Sequence, residues 1–277
     1  MRIINLVENE LDSTGCEAAH GLSFYVETEK HKFCWDLGPG DVVLKNAQKL
    51  GVNLADVDTV ILSHGHYDHS GGILPFAELN PRAKIYMQHN AGGEYYAFDG
   101  EEQGFRYIGI DKKILSLPQV QLLKGDAKID DELRLFTVDN RAFPLPSTNR
   151  RLRVLCEGQY IQDEFFYEQN LLLTADGKKI LFCGCAHNGI LNVMHALERK
   201  FGPASLPDLV IGGFHLMKRT EFSEADAAEV TEIANRLKSY KVHFATCHCT
   251  GPAAFNQMKE ILGDQLSYVH SGDEIEV

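Results

Sequence analysis

The sequence predicts a mixed α/β (α+β) fold that occupies residues 1–277 as a single domain. Strand and helix signals alternate in the first third of the chain and again after about residue 170. Hydrophobic residues form 44% of the chain and charged residues 24%, which is typical of a globular protein with a sizeable core. Because no linker or low-complexity tract interrupts the sequence, one domain is the economical interpretation.

The first third predicts four strands and two helices. The chain begins with a strand in "MRIINLV", and "GLSFYVET" and "HKFCWDLG" predict two more, joined by the polar turn Thr28–Lys30. Asp41 precedes the helix "VVLKNAQKL", which ends at Gly51. "VDTVILS" predicts a buried strand, and Pro75 is expected near the start of the helix after the loop that follows.

The rest of the chain has an irregular part and a regular part. Residues 90–165 predict an insertion of strands and long loops that contributes to a pocket. Later, "NLLLTADGKKILFCG" predicts a hairpin through Asp176–Gly177, and "ILNVMHALERKF" predicts a helix. Ser223 and Asp226 have the spacing of a capping box at the start of another helix, and a last helix follows Gly251–Pro252. "PDLVIGGFHL" and "KVHFATCHC" predict the intervening strands.

Charge and composition narrow the partners and the compartment. The formal net charge of −12 disfavours nucleic acid and anionic membranes as partners, since those surfaces usually require excess Lys and Arg. The first residues lack the apolar core of a signal peptide, and no later stretch is long and apolar enough to span a bilayer, so we expect a cytoplasmic protein. Seven cysteines, an odd number in a long chain, favour reduced thiols.

The stretch "HGHYDH", directly after a buried strand, carries the strongest chemical signal. His64 and His66 are alternate residues, so an extended backbone sends both side chains to one side. Asp68 and His69 follow where a turn can bring them close. A solvated histidine-rich turn is disfavoured, because such groups rarely follow a buried strand without a partner that offsets their desolvation. Imidazole and carboxylate donors predict a site for zinc, manganese or iron.

The same stretch resembles the HxHxDH signature of the metallo-β-lactamase superfamily. "FCWDLGPG" resembles the superfamily's first motif, and "GCAHNGI", "GGFHL" and "HCTG" resemble a subgroup related to 7,8-dihydropterin-6-yl-methyl-4-(β-D-ribofuranosyl)aminobenzene 5′-phosphate synthase. The resemblance implies an αββα four-layer sandwich with two divalent metal ions, most simply zinc, at the edge of the paired sheets.

The resemblance also implies the ligands. His64 and His66 would hold the first ion, and Asp68, His69 and His248 the second. Asp36 would orient ligands through hydrogen bonds.

This chain departs from the superfamily pattern at two positions. No histidine precedes "KKILFCGC", and Cys185 stands where a bridging aspartate is expected. The subgroup pattern implies that His187 supplies the missing imidazole. Cys185 is either a thiolate ligand or a small buried residue.

Several further residues are candidates for the pocket. His215, at a strand end, is expected to contact a substrate phosphate or the transition state, or to be an extra metal ligand; the alternative is a structural histidine bonded to backbone. His20, Arg106 and Tyr107 are candidates for substrate contact, although Arg106 and Tyr107 could simply pack the insertion. Cys247 and Cys249 flank His248, and in a strand they would point away from it.

These residues predict a metal-dependent hydrolase that activates water against an ester-like or phosphoester bond of a small metabolite, with a phosphorylated metabolite as one candidate. Asp68 would accept a proton from the water and His215 would assist. Two alternatives stay open: a transferase resembling the dihydropterin synthase, and a non-catalytic sensor of metal or ligand.

Overall fold

The structure, a computed structural model, describes residues 1–10 and 14–277. Within these residues the chain forms eighteen strands and six α-helices, joined by loops and short 3₁₀ turns. The strands are β1 (Arg2–Val7), β2 (Ser23–Glu27), β3 (Lys32–Trp35), β4 (Thr59–Ile61), β5 (Lys84–Gln88), β6 (Tyr95–Phe98), β7 (Phe105–Tyr107), β8 (Val120–Leu123), β9 (Ala127–Lys128), β10 (Leu133–Thr137), β11 (Leu152–Cys156), β12 (Gln159–Gln162), β13 (Gln169–Ala175), β14 (Lys178–Phe182), β15 (Leu209–Gly212), β16 (His243–Thr246), β17 (Leu266–Tyr268) and β18 (Glu274–Ile275). The helices are α1 (Val42–Lys49), α2 (Tyr67–Ser70), α3 (Ile73–Leu79), α4 (Ile190–Phe201), α5 (Glu224–Lys238) and α6 (Pro252–Leu262).

Two seven-stranded sheets form the centre of the molecule. The first has the order β18-β1-β2-β3-β4-β5-β8 and the second β17-β16-β15-β14-β13-β10-β9. In each sheet an antiparallel part, built from hairpins, continues into a parallel part: β3, β4, β5 and β8 in the first, and β14 to β17 in the second. Since parallel strands all end at the same edge, the loops after them come together there.

Three separate hydrophobic clusters fill the spaces between four layers. The middle cluster joins the inner faces of the two sheets and includes Phe24, Trp35, Phe182 and Ile211. One outer cluster packs α1 and α3 on the first sheet, and the other packs α4, α5 and α6 on the second. Trp35 also donates a hydrogen bond from Nε1 to the Cys183 carbonyl at 3.1 Å, which ties the two sheets together. The predicted αββα sandwich is confirmed.

Most helices follow from local sequence signals. Helix α4 coincides with the predicted segment, and seven of its first eight residues are buried, so its first two turns are covered on most sides. Helix α5 begins with the predicted capping box: the Ser223 hydroxyl accepts from the Asp226 backbone N–H, and the Asp226 carboxylate accepts from the Ser223 N–H. Among the described residues, no helix combines the length and the apolar character needed to cross a bilayer.

The irregular middle of the chain contains a third sheet. Its four strands have the order β12-β11-β6-β7 and are all antiparallel. Phe105 and Tyr160 stack across it with ring centroids 3.8 Å apart. The loops and strands of this region form part of one wall of the cavity described below.

Candidate metal centre

The histidine-rich loop runs from β4 into the short helix α2. His66 is extended and precedes α2, whereas Asp68 and His69 lie in the helix's single turn. The close approach of other backbone explains the glycine between the histidines: a Cβ atom at Gly65 would lie 2.1 Å from the Ala91 carbonyl oxygen. The loop therefore presents four donor side chains, all of them buried, at the carboxyl end of the first sheet.

In two histidines one ring nitrogen is hydrogen-bonded, and the other has no hydrogen-bond partner among the described residues. His64 Nδ1 lies 2.8 Å from the Ser63 hydroxyl, and His187 Nδ1 lies 3.0 Å from Asn149 Oδ1. Their Nε2 atoms are buried and find no hydrogen-bond partner among the described residues. Because an orphaned buried polar atom is costly, these nitrogens indicate that something else occupies the space before them.

His66 is oriented in the opposite sense. Its Nε2 lies 3.0 Å from the Tyr167 hydroxyl, which donates to Asp163 Oδ2 at 2.7 Å. Since the hydroxyl proton is committed to Asp163, His66 Nε2–H donates to the tyrosine oxygen. The lone pair of His66 is then on Nδ1.

The second group of donors meets around His69. Asp36 Oδ2 contacts His69 Nδ1 at 2.7 Å, while His69 Nε2 lies 3.2 Å from both His248 Nε2 and Cys185 Sγ. Asn9 Oδ1 holds His248 Nδ1 at 2.9 Å. Asp68 Oδ2 is 3.6 Å from His248 Nε2. Lone-pair donors thus converge on one another, as ligands of a cation do.

Cys185 joins the two groups. Its Sγ lies within 4.8 Å of the donor atoms of His64 and His187, and equally within 4.8 Å of those of His69 and His248. The preceding residue must be small, because a Cβ at Gly184 would lie 2.1 Å from the Ser63 hydroxyl oxygen. The thiol therefore stands between the two sets of imidazoles.

The backbone around the site is strained. Asp36, Ala186, His215 and His248 all have positive φ, between 50° and 58°, although none is glycine. Such conformations persist where the surroundings fix them, and they concentrate at functional sites. At His248 this conformation ends β16, so residues 248–250 form a 3₁₀ turn.

Comparison with known proteins agrees with this geometry. A family model described as the metallo-beta-lactamase superfamily matches residues 17–143. A solved structure described as a metal-dependent hydrolase of the β-lactamase superfamily is 28% identical, with a TM-score of 0.81, and the match covers 100% of this chain and 99% of that one. The chain is similar to the metallo-β-lactamase superfamily in sequence and in fold.

Two proteins of Methanocaldococcus jannaschii are also similar over most of their length. One, an uncharacterized protein, is 27% identical over 262 residues, which is 92% of each chain. The other, named 7,8-dihydropterin-6-methyl-4-(β-D-ribofuranosyl)-aminobenzene-5′-phosphate synthase, is 26% identical over 274 residues, or 91% of this chain and 88% of that protein.

Electrostatics keep most of the donors in the form that a divalent cation needs; the exception is His69, whose pKa burial tends to lower but Asp36 and Asp68 raise. Burial lowers the pKa of His64, His187 and His248 well below the usual histidine value, and that of His66 to about 4. Burial also opposes ionisation of Asp68, but His69, His248 and His20 outweigh it and lower the Asp68 pKa to about 2. Neutral imidazoles and an ionised carboxylate are the states in which these side chains bind metal. The donor set fits the divalent ions typical of this superfamily.

Buried carboxylates fix the loops that carry the later histidines. Glu168 accepts the backbone N–H groups of His187, at 2.6 Å, and Asn188, at 2.9 Å. Glu8 accepts the N–H of His248 at 3.0 Å. No local signal in the sequence indicates these two residues, nor Asn9, Asn149 or Tyr167, since each is a common residue type far along the chain from the ligand that it orients.

The donors open on a cavity of about 470 Å³. Of the predicted pocket residues, His215, His20 and Arg106 line it, and His20 Nε2 lies 3.4 Å from Asp68 Oδ2. His215 Nδ1 is buried without a partner among the described residues, and one ring nitrogen of His215 lies within 4.8 Å of Cys185 Sγ and Cys249 Sγ.

Two sequence-based expectations are corrected. Tyr107 is not among the described residues that line the cavity: its hydroxyl donates to the Ile110 carbonyl at 2.8 Å. Adjacent residues of a strand point to opposite sides, so Arg106 and Tyr107 cannot both face the cavity. Cys249, expected to point away from the site, instead approaches Cys185, because the chain turns at His248 rather than continuing as a strand.

Proposed function

We propose that the protein is a hydrolase that uses two divalent metal ions against an ester-like or phosphoester bond of a small metabolite. Similarity to the superfamily supports the coarser part of this proposal, a metal-dependent and hydrolase-like role. The observation that carries the finer part is the pair of donor groups, each with its imidazole lone pairs turned inward, that share Cys185.

The two groups suggest which side chains hold each ion. His64, His66 and His187 would hold the first, and Asp68, His69 and His248 the second. Cys185 Sγ lies close to both sets, so we propose it as a thiolate ligand at the position between them. A set of imidazole, carboxylate and thiolate favours zinc over manganese, because thiolate is a soft ligand; iron is the other candidate.

When bound, the ions would supply a Lewis acid that polarises the scissile bond and lowers the pKa of water. The chain's own residues would then handle substrate and proton. The Asp68 carboxylate is ionised and faces the cavity, so it can accept a proton from the attacking water. His20, half exposed and 3.4 Å from Asp68, can carry that proton to solvent. His215 lies beside His187, with ring centroids 4.1 Å apart, and can contact the reacting group.

The size of the cavity supports a small-molecule substrate. About 470 Å³ is within the range of ligand pockets and too small for a folded macromolecule.

The first test is the metal content per chain of tag-free protein, measured by mass spectrometry before any metal is added. The proposal expects two ions per chain. It also expects hydrolysis of one or more generic probes, such as bis(p-nitrophenyl) phosphate, phenyl phosphate, a thioester or a lactone.

For any probe that turns over, His66→Ala should lower kcat/KM by at least about 100-fold, given that even residues supporting a metal ligand are worth 10- to 100-fold. The matched control is His89→Ala, since the His89 side chain is exposed and is hydrogen-bonded to the Leu123 carbonyl, away from the donors. A folded His66→Ala variant with full turnover would contradict the proposal.

A synthase-like transfer is the second candidate, and the similarity to the Methanocaldococcus jannaschii synthase is the observation that favours it. Here the metal ions held by the same donors would bind a phosphate or stabilise a developing anion instead of activating water. Formation of a condensed product only when two substrates are supplied together would distinguish transfer from hydrolysis. Thermal stabilisation by ligands with no chemical change would instead favour a sensor.

A further inference from the structure

Basic side chains crowd one part of the cavity wall. The cavity has five cationic residues in its lining, whereas Asp68 is the one carboxylate among its described lining residues. The five are Arg106, Arg150, Arg151, Lys218 and Arg219. This local excess of positive charge is unexpected in a chain of formal net charge −12.

Three of these arginines share a single carboxylate. Asp99 Oδ2 accepts from Arg106 Nε at 2.7 Å, and Asp99 Oδ1 accepts from both Arg151 and Arg219. The Asp99 side chain is only 11% exposed, so it is fixed as a hub beneath the guanidinium groups.

The charges of this cluster do not balance. Three guanidiniums against one carboxylate leave an excess of two positive charges, whereas Lys218 is paired with Asp226 at 2.6 Å. The crowding is also visible in the pKa of Arg151, which burial lowers first and the charges of Arg219 and Arg106 lower further. Like charges held together in this way are stabilised by an anion.

The cluster belongs to the same cavity as the metal donors but is separate from them. Arg106, Arg151 and Arg219 line the wall that also includes His66 and His215. Burial is the main reason that the pKa of His215 is lowered to about 3, and the charge of Arg151 contributes to that shift. Among the described residues, no hydrogen bond joins these three guanidiniums to a proposed metal ligand.

We propose that Arg106, Arg151 and Arg219, held by Asp99, form a subsite that binds a terminal phosphate monoester of the substrate. This rests on the proposed function, because it defines which metabolites would enter the same cavity. The phosphate bound there anchors the substrate, and the bond to be broken lies at the metal donors.

The charge and shape of the cluster favour phosphate over carboxylate. A phosphate monoester carries close to two negative charges at neutral pH, which matches the excess of two, whereas a carboxylate carries one. Guanidinium groups also bind phosphate oxygens through pairs of parallel N–H donors, a geometry that lysine cannot supply.

The test is the affinity of the metal-loaded protein for inorganic phosphate, measured by calorimetric titration. Arg151→Gln and Arg219→Gln should each raise the Kd by about tenfold, the value of one charge-assisted hydrogen bond. Arg153→Gln is the matched control: Arg153 lies two residues from Arg151, does not line the cavity, and bonds the Arg150 and Leu152 carbonyls. The Kd of the Arg153→Gln variant for phosphate should equal that of the wild type.

Separate readouts distinguish this proposal from the proposed function. Metal content, measured on every variant, should equal that of the wild type. Unchanged phosphate affinity in both Arg151→Gln and Arg219→Gln would overturn the subsite, because phosphate would then be bound by the metal ions alone. An equal loss of affinity for acetate and phosphate would overturn the assignment to a dianion. If the wild-type protein binds no metal, the proposed function is wrong. The effect of the two arginine substitutions on the Kd for phosphate would still test the subsite.

Discussion

Two histidines at different ends of the sandwich have similar neighbours and different chemistry. His31 lies in the turn between β2 and β3, with Nδ1 3.1 Å from Asp58 and Nε2 in contact with Asp130. His69 also contacts a carboxylate, Asp36, through Nδ1. Its Nε2, however, faces His248 Nε2 and Cys185 Sγ, both at 3.2 Å. The outer nitrogen of His31 thus meets a carboxylate, whereas the outer nitrogen of His69 meets an imidazole nitrogen and a thiol.

This difference teaches that the second nitrogen, not the presence of an Asp–His pair, marks a metal site. A histidine between two carboxylates forms a closed ionic cluster with nothing left to coordinate. A histidine whose outer nitrogen meets an imidazole nitrogen and a thiol can share a cation with them once the protons between these groups are lost. The carboxylate behind such a ring then sets its orientation and basicity.

The largest effect should come from removing the metal. A ligand present at 1,000 times its Kd stabilises the folded state by about 4 kcal/mol, which for a chain of this size is about 10 °C in Tm. We therefore expect EDTA followed by dialysis to lower the Tm by about this amount, and stoichiometric zinc to restore it, as measured by scanning calorimetry.

The His31→Ala variant is the control, since it should show the same response to EDTA as the wild type. If removal of bound metal leaves the Tm unchanged, the inward-facing donors are stable without a cation and the comparison between the two histidines fails.

A smaller effect is expected from Asp36→Asn. Asp36 is fully buried and accepts hydrogen bonds from the Ser63 N–H at 2.7 Å and the Ser63 hydroxyl at 2.6 Å, besides its contact with His69. Asparagine keeps the shape and tolerates the φ of 58°, but it loses the negative charge behind the His69 ring and replaces one accepting oxygen with an NH2 donor. Zinc affinity should fall by about 10- to 100-fold in competition with a chromophoric chelator. A variant that loses stability but retains wild-type zinc affinity would show that Asp36 is only structural.

The sequence predicted those parts of the site that lie close together in the chain. The HxHxDH loop follows one buried strand, so its donors were evident without tertiary information. His187, His248 and Cys185 emerged only through resemblance, because each comes from a different strand end. No sequence pattern indicated Asn9, Tyr167 or Asp99. Their roles depend on which side chain each one contacts, and those contacts form only in the folded structure. For Arg106 and Tyr107 the sequence alone was enough to reject the prediction that both line the cavity. They are adjacent in a strand, so their side chains point to opposite sides.

The smallest effect concerns the closed cluster and its pH dependence. Burial tends to lower the pKa of His31, but the hydrogen bonds to Asp130 and Asp58 outweigh it and raise the pKa. A histidine whose folded pKa is raised stabilises the protein fully below its unfolded pKa, about 6.5, and this stabilisation is lost as the pH rises through the folded pKa. The difference in unfolding free energy between wild type and His31→Ala should thus be about 1 kcal/mol at pH 6 and smaller at pH 9, since the cluster is partly exposed. Urea unfolding at the two pH values measures it, with zinc content constant. A difference that grows with pH would mean that His31 is neutral when folded, and the closed cluster would then be a hydrogen-bonded rather than an ionic one.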